Sequence, residues 1–470
     1  MPEKINVLLI DPSWNILSEH NIWKNIGSCL PSLGLAYIAS YLEKNGYSVK
    51  IIDCTAEELT IEKLKQRFEN MPCPDFIGLT ATTPLIKNCI EITKLCKSIF
   101  KNSKIIVGGV HASVMPAEVL KNDSIDYVAR GEGEETMLEL VKNEKNIENI
   151  TGLSFKRNRE IIHNPERELI KDLNVIPPPA YHLLPMDKYH PALGSYKRLP
   201  AMSLFATRGC PGKCTFCYRT FQGKVRKRSA ENIIEEINLL KNKYGIKEIA
   251  FYDDTFTAFK DEVMKFCQLL IEWKIDITWS CFTRVDFVNE NLLRIMKKAG
   301  CHLILFGVES ADETILKNVK KKISLDKALA VVRLARKIGV NTRASFMIGN
   351  QGETEETVKK TVDFAFHLDA DEIQFNIATA YPGTELYNWA KQNGYLAHDN
   401  WDNYNMSDLN LKLPDISQEK LQYYYAYVHK KYYIRPKIIL RRLFHIRTFT
   451  QFMQEVKGFF AIINVFRHKK

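Results

Sequence analysis

The sequence predicts an α/β protein built from two parallel-sheet domains and a helical, basic C-terminal extension. Three observations predict it. Over residues 1–145, five short apolar runs each precede a stretch of helical periodicity, the order that builds a parallel sheet covered on both faces. From 201 a second series of six such units begins, and beyond 395 the alternation gives way to tyrosines and cations.

In the first domain, strands are expected at 5–10, 47–53, 75–81, 104–107 and 125–130, with helices at 33–45, 61–69, 85–100, 116–120 and 134–142. This is the pattern of a Rossmann-like, doubly wound sheet, which binds its ligand outside the carboxyl ends of the strands. Those ends carry Asp11-Pro12-Ser13, Thr80-Ala81-Thr82-Thr83-Pro84, Gly108-Gly109-Val110-His111 and Arg130-Gly131-Glu132-Gly133-Glu134. Paired glycines and small hydroxyls let a bulky ligand approach the backbone. Residues 146–200 read as a connector, with a short hairpin near 153–162 and then Pro177-Pro178-Pro179 and Pro185; prolines restrict the chain without building a core.

The second series, 201–395, has strands at 202–207, 248–252, 277–281, 303–308, 342–348 and 372–378. Helices are expected at 229–244, 289–299 and 325–338, with Ser229 and Ser324 as N-caps. Six βα units make a partial (β/α)6 TIM-like barrel, whose chemistry belongs at the carboxyl ends of the strands. Directly after the first strand comes Cys210-Pro-Gly-Lys-Cys214-Thr-Phe216-Cys217, entered through Ala206-Thr207-Arg208-Gly209. Three thiols at CxxxCxxC can reach three irons of one cubane and leave the fourth iron open. The plainer alternative is a structural zinc or disulfide knot, but structural zinc takes four protein ligands and no His or Cys follows closely after Cys217. The other eight cysteines, at 29, 54, 73, 89, 96, 267, 281 and 301, lack metal-like spacing and read mostly as buried thiols.

The later strand ends are polar too: Asp253-Asp254-Thr255, then Ser280 with Thr283-Arg284-Val285-Asp286, Gly307-Val308-Glu309-Ser310, Gly349-Asn350-Gln351-Gly352-Glu353 and Tyr381-Pro382-Gly383-Thr384. Any one pair reads equally well as a helix cap. Five on one rim read as a binding site.

A chain of 470 residues, 45% hydrophobic and 26% charged, has material for two or three globular cores. The start shows no secretory h-region, and no apolar run approaches the ~20 residues of a membrane span, so a cytoplasmic location is expected. Charge is concentrated at the end: 430–470 holds eleven Lys and Arg against Glu455 alone, which is +10 of the formal +11. Ile438, Ile439, Leu443, Phe444 and Ile446 fit one apolar helical side beside Lys437, Arg441 and Arg442. Such a helix can lie on an anionic membrane, making the protein membrane-peripheral through 430–470, or pack on the barrel with its cations solvated. No nucleic-acid partner is expected, because the aromatic signatures of the known modules are missing.

With Phe216 at the aromatic place of CxxxCxΦC, residues 200–395 resemble the radical SAM superfamily. Together with the first domain the chain resembles the cobalamin-binding-domain-containing radical SAM family, class B methyltransferase-like. The resemblance implies that Cys210, Cys214 and Cys217 hold a 4Fe–4S cluster and that Phe216 and Ser280 line the S-adenosylmethionine pocket. It further implies that Asp253 or Asp254 receives the methionine ammonium, that Arg284, Glu309 and Ser310 serve ribose and carboxylate, and that the turn at Gly349 lies by adenine. In the first domain, Thr80, Thr82, Gly108, Gly109, Gly131 and Glu132 fall where the family contacts cobalamin. The usual DxHxxG is absent from 29–34, which keeps only Gly34, so cobalamin without a protein His ligand is implied. His111 is expected to cap a loop or touch the corrin periphery; the alternative is a Rossmann-like domain repurposed without a corrin.

The activity implied is reductive cleavage of S-adenosylmethionine to a 5′-deoxyadenosyl radical, driven by an external one-electron reductant of flavodoxin or ferredoxin type. The radical and cobalamin would then methylate an unactivated carbon of a small-molecule or lipid substrate. The runner-up is radical cyclisation, rearrangement or carbon–carbon coupling, and a cluster and corrin sensor is the non-enzyme alternative. A methylthiotransferase is disfavoured, since that family needs three further N-terminal cysteines. The sequence assigns no residue to chemistry on the substrate.

Overall fold

The computed structural model describes residues 6–13, 28–192, 194–398, 400–404 and 409–445. Among these residues it forms two compact units, one holding 6–13, 29–189 and 400–404, the other 190–192, 194–398 and 409–445.

In the first unit, β1 (Asn6–Asp11), β2 (Ser48–Asp53), β3 (Phe76–Thr80), β4 (Lys104–Gly108) and β5 (Tyr127–Ala129) run parallel, followed by β6 (Leu153–Arg157) and β7 (Glu160–His163) in antiparallel pairing. The sheet order is β2-β1-β3-β4-β5-β6-β7. Helices α1 (Leu33–Lys44), α2 (Ile61–Glu69), α3 (Ile86–Ile99), α4 (Val110–Val114), α5 (Pro116–Leu120) and α6 (Gly133–Lys142) connect the strands. Val7, Leu8, Leu9 and Ile10 are all buried, as a strand covered on both faces requires.

The hairpin placed by sequence in a connector is instead the sheet's own edge: Phe155 pairs with Tyr127, and β6 covers the strand that would otherwise be exposed. The proline-rich stretch is tied down as well, with Ala180 N–H donating to Ala36 O (3.0 Å) and Ser40 Oγ to Pro177 O (3.4 Å). The first unit therefore extends to 189.

The β1–β2 register sets Asp11 beside Asp53 at the carboxyl edge. Asp53 accepts from Tyr189 Oη (2.7 Å) and from the N–H of Thr55 and Ala56. Burial, then the charge of Asp53, pushes Asp11 up from 3.8 to about 8. Native Asp11 thus keeps a proton that the unfolded chain loses above pH ~4, so its contribution favours the native state less as pH rises, until about 8. Between pH 6.5 and 8 this amounts to about 2 kcal/mol. The apo-protein is expected to unfold in less urea at pH 8 than at pH 6.5, with Asp11→Asn flattening the difference; an identical slope in the variant would show that Asp11 does not carry it.

In the second unit, β8 (Ala201–Leu204), β11 (Glu248–Phe251), β12 (Thr278–Thr283), β13 (Cys301–Glu309), β14 (Asn341–Ile348) and β15 (Glu372–Ile377) form one parallel sheet in sequence order. Two short strands, β9 (Thr207–Arg208) and β10 (Arg226–Lys227), pair antiparallel and close the neck of the cysteine loop. The helices are α7 (Ala230–Tyr244), α8 (Lys260–Glu272), α9 (Glu290–Lys298), α10 (Glu313–Asn318), α11 (Leu325–Ile338), α12 (Glu355–Leu368), α13 (Glu385–Gln392), α14 (Gln418–Tyr433) and α15 (Pro436–His445). Ser229 and Ser324 cap α7 and α11 as expected, accepting from Asn232 N–H and Lys327 N–H. This is the partial (β/α)6 barrel.

Of the two arrangements expected for the extension, the described part of the helix packs on the barrel, but not with its cations solvated. Ile438 is fully buried while Ile439 and Leu440 are exposed, and Lys437 and Arg441 turn to Asp369 and Asp371 in front of β15. The carboxylates there outcompete solvent for these two cations. The side chains of Arg442, Leu443 and Phe444, and all of Ile446, lie outside the described residues. No described helix is long and apolar enough to cross a membrane.

Candidate active site

The cysteine loop is pinned by neighbours that its spacing does not reveal. Thr215 N–H donates to Val319 O (3.1 Å) at the end of α10, and Leu386 N–H donates to Thr215 O (2.9 Å) at the start of α13. Phe216 packs against the apolar cluster of Met347, Ala378, Ala380 and Leu386, so it anchors the loop. Cys210 Sγ accepts from Gly212 N–H (3.3 Å) and lies 3.3 Å from Thr255 Oγ1. A Cβ on Gly212 would lie 3.3 Å from Cys210 Sγ, 3.8 Å from Cys214 Sγ and 3.6 Å from Arg284 Nη1, which shows how closely the three groups gather.

All three thiols are free, Cys210 and Cys214 half-buried and Cys217 exposed. Among the described residues no three His, Cys, Asp or Glu side chains could hold a single metal ion. Soft thiolates converging on one loop suit the corners of a cubane rather than a mononuclear centre. The residues therefore fit a 4Fe–4S cluster.

The two acids after β11 separate in role. Asp253 is buried and accepts from Ala206 N–H (3.1 Å), Thr207 N–H and Thr207 Oγ1 (2.6 Å), so it fixes the chain entering the cysteine loop. Burial pushes it up to about 7, against those hydrogen bonds. Asp254 is exposed, and its carboxylate has no side-chain partner among the described residues. Of the pair, Asp254 is left to meet a ligand.

On β13 the ladder shifts register between Gly307 and Glu309, and Glu309 takes φ +71°, a conformation that costs a non-glycine residue about 1–3 kcal/mol. Its carboxylate lies over Gly307, where any Cβ would overlap Glu309 Oε1, and Lys321 Nζ reaches the same oxygen at 3.1 Å. Lys321 is 8% exposed. Burial alone would depress its ammonium, but Glu309 and the Cys214 thiol outweigh it and hold the pKa above the ordinary value. Arg284 pairs with Asp286 (2.9 Å), donates to Lys322 O (2.7 Å) and sits over Gly212. One side of the thiols is therefore faced by two cations and a carboxylate.

The remaining predicted residues are less open. Ser280 is buried on β12. Ser310 is fully buried and bonds Thr361 Oγ1 (3.1 Å), tying the end of β13 to α12. Gly349 N–H donates to Glu353 (3.0 Å), the acid that organises the turn, and Leu421 of α14 packs over Gly349.

At the first unit's carboxyl edge, Thr82 and Gly131 are exposed and Thr80, Gly108 and Gly109 half-buried. Gly109 has φ +91° and lies so close to Thr80 and Ala81 that a Cβ would sit 2.7 Å from Thr80 Oγ1, while a Cβ on Gly131 would meet nothing within 4 Å. Glu132 is turned to its own chain, accepting from Ile170 N–H (2.9 Å). His111 is fully buried: Nδ1 bonds Thr83 Oγ1 (3.2 Å), Nε2 has no hydrogen-bond partner, and burial lowers its pKa to about 4. The Trp401 ring packs on it at 5.4 Å and donates to Glu118 (2.6 Å), while Lys87 holds Asn400 and Asp402 (both 2.5 Å). The edge thus offers hydroxyls, glycines and open space to a large ligand, with its imidazole sealed beneath an indole. It fits a corrin bound without His111 on cobalt.

Residues 204–365 match the radical SAM superfamily and residues 20–141 the B12 binding domain. Over 449 residues the chain is 37% identical to an uncharacterized methyltransferase of Pyrococcus horikoshii, covering 94% of this chain and 95% of that one. The chain belongs to the cobalamin-binding radical SAM family. It is therefore an enzyme of the radical SAM type. An anaerobic magnesium-protoporphyrin IX monomethyl ester cyclase of Rubrivivax gelatinosus is 28% identical over 82% of this chain and 69% of its own. In fold, the chain is similar to the radical SAM methyltransferase TsrM from Kitasatospora setae, solved with cobalamin and a 4Fe–4S cluster: TM-score 0.68, 18% identity, 90% of this chain and 81% of that one covered.

Two side chains of this radical SAM protein escaped sequence reasoning. Lys321 sits in Lys320-Lys321-Lys322, which reads as a solvated charge run. Trp401 lies about 290 residues from the His111 it covers, and nothing local marks it.

Proposed function

We propose that this chain is a cobalamin-dependent radical SAM C-methyltransferase that methylates an unactivated carbon of a small-molecule or lipid substrate. The observation that carries it is the gathering of Cys210, Cys214, Arg284, Lys321 and Glu309 on one rim, with the unpartnered Asp254 next in the chain to Thr255, which bonds Cys210. When bound, a reduced 4Fe–4S cluster would supply the electron for cleavage of S-adenosylmethionine, and cobalamin would supply the methyl group. The protein's work is positioning. Cys210, Cys214 and Cys217 would hold the cluster. Asp254 suits the methionine ammonium, and Lys321 and Arg284 suit its carboxylate. Glu309, fixed in its strained turn, suits a ribose hydroxyl. Thr80, Thr82, Gly108, Gly109 and Gly131 would receive cobalamin, with no protein His on cobalt.

A flavodoxin- or ferredoxin-type donor supplies the electron, the protein works in the cytoplasm, and 430–470 provides peripheral membrane contact. Radical cyclisation is the second reading, favoured by the likeness to the cyclase. Anaerobic protein with both cofactors, dithionite and S-adenosylmethionine is expected to yield 5′-deoxyadenosine and, from cell extract, a product heavier by one methyl. A product changed only by two hydrogens would favour the second reading, and no S-adenosylmethionine cleavage would defeat both. The Co(II) electron paramagnetic resonance spectrum should show no protein nitrogen splitting and be unchanged in His111→Phe; splitting lost in that variant would place His111 on cobalt.

A further inference from the structure

A cavity of about 350 Å³ lies at the amino end of β15, at the opposite end of the strands from the cysteine loop, lined by Arg333, Arg336, His367, Asp369, Arg435 and Lys437. Four fixed cations thus face one carboxylate. Asp369 Oδ2 takes Lys437 Nζ (2.5 Å), Arg336 Nη1 (3.1 Å) and, from outside the lining, Arg441 Nη2 (3.1 Å). Burial works to raise Asp369, but the Lys437 hydrogen bond and the charges of Arg441 and Arg336 hold it below the usual carboxylate value, so it supplies its single charge throughout.

Part of the donor capacity is used internally. Arg435 donates to Phe366 O (3.3 Å) and lies over the rings of Phe366 and Tyr432, capping the carboxyl end of α12. Arg336 Nη2 donates to Asp369 O, and Arg441 Nη1 to the carbonyls of Asp369 (3.3 Å) and Ala370 (3.4 Å). Other donors remain without a protein acceptor. Arg336 Nε is buried without an acceptor, and Arg333 and His367 have no side-chain partner among the described residues. Like charges gathered in a concave site repel, by about 1 kcal/mol per pair at 4 Å even in water, and one carboxylate cannot offset four of them. Guanidinium forks and an ammonium converging on one space match the tetrahedral oxygens of phosphate.

We propose that this cavity binds a phosphate-bearing anion, at a site separate from the radical chemistry. Ile434, Ile439 and Leu440 are exposed on the same segment as Lys437, at 43%, 37% and 54%, so the phosphate can come from a soluble molecule or from an anionic phospholipid headgroup.

The test uses full-length reconstituted protein and two probes: inorganic phosphate by calorimetry at low salt, and flotation with phosphatidylglycerol–phosphatidylcholine vesicles against pure phosphatidylcholine. Arg333→Gln/Lys437→Gln, and separately Arg333→Glu, which disturbs no internal bond, should weaken binding about tenfold, the worth of one charged hydrogen bond. Iron content should stay unchanged in both variants, and the unfolding midpoint in Arg333→Glu. Phosphate binding alone identifies a soluble ligand; vesicle binding weakened by both variants identifies a headgroup. If the wild type binds neither probe, or both variants bind as the wild type does, the site does not exist.

Discussion

Replacing Cys210, Cys214 or Cys217 by Ala is expected to abolish S-adenosylmethionine cleavage while leaving the fold intact. The loop is held by Thr215, Phe216 and the β9–β10 neck, none of which uses a cysteine side chain. Deleting one half-exposed thiol there should change stability by no more than about 0.5–1 kcal/mol. The cluster is different: two thiolates cannot hold three irons, and no spare donor stands close, since among the described residues no third His, Cys, Asp or Glu completes a metal site. Each variant, reconstituted anaerobically, should show native circular dichroism, little bound iron and no 5′-deoxyadenosine. Iron content unchanged in all three would sink the assignment of the loop.

Asp253→Ala and Asp254→Ala are adjacent substitutions expected to fail in opposite ways. Asp253→Ala strands the N–H groups of Ala206 and Thr207 and the Thr207 hydroxyl in a buried place, at about 1–3 kcal/mol for each unsatisfied group. The entry to the cysteine loop should loosen, and cluster uptake and unfolding midpoint should fall together. Asp254→Ala removes an exposed carboxylate that supports nothing else, so cluster content and stability should remain. S-adenosylmethionine affinity should drop about tenfold to a hundredfold, the worth of one charge-assisted contact. Absorbance at the cluster band together with equilibrium binding of S-adenosylmethionine separates the two; the reverse pattern would exchange the roles of the two acids.

What could be read beforehand was what is local. Strand and helix alternate at short range, and the cysteines and their aromatic lie within eight residues, so the two parallel α/β series and the metal loop were legible. Direction at strand ends was not. Successive side chains leave a strand on opposite sides, and the motif alone could not say that Asp253 turns in to the chain entering the cysteine loop while Asp254 faces out. Lys321 was hidden for a related reason, since three adjacent lysines look alike until the chain after α10 buries only the middle one beside Glu309. The hairpin was visible as a hairpin, but its place at the sheet edge depends on β5 needing a neighbour. The basic helix was legible as amphipathic, yet which face packs was decided by Asp369 and Asp371, some seventy residues earlier.

The small segment carrying Trp401 makes the first unit discontinuous along the gene. Cutting the protein at its sequence boundary would give an N-terminal fragment that contains every strand of its sheet and still lacks one wall. His111 would then face water, and the burial that keeps it neutral at all pH values above about 4 would be lost. Its imidazole would return toward an ordinary pKa of about 6.5 and become available to any metal offered. Cobalt coordination measured on such a fragment would describe a site that the intact chain does not expose.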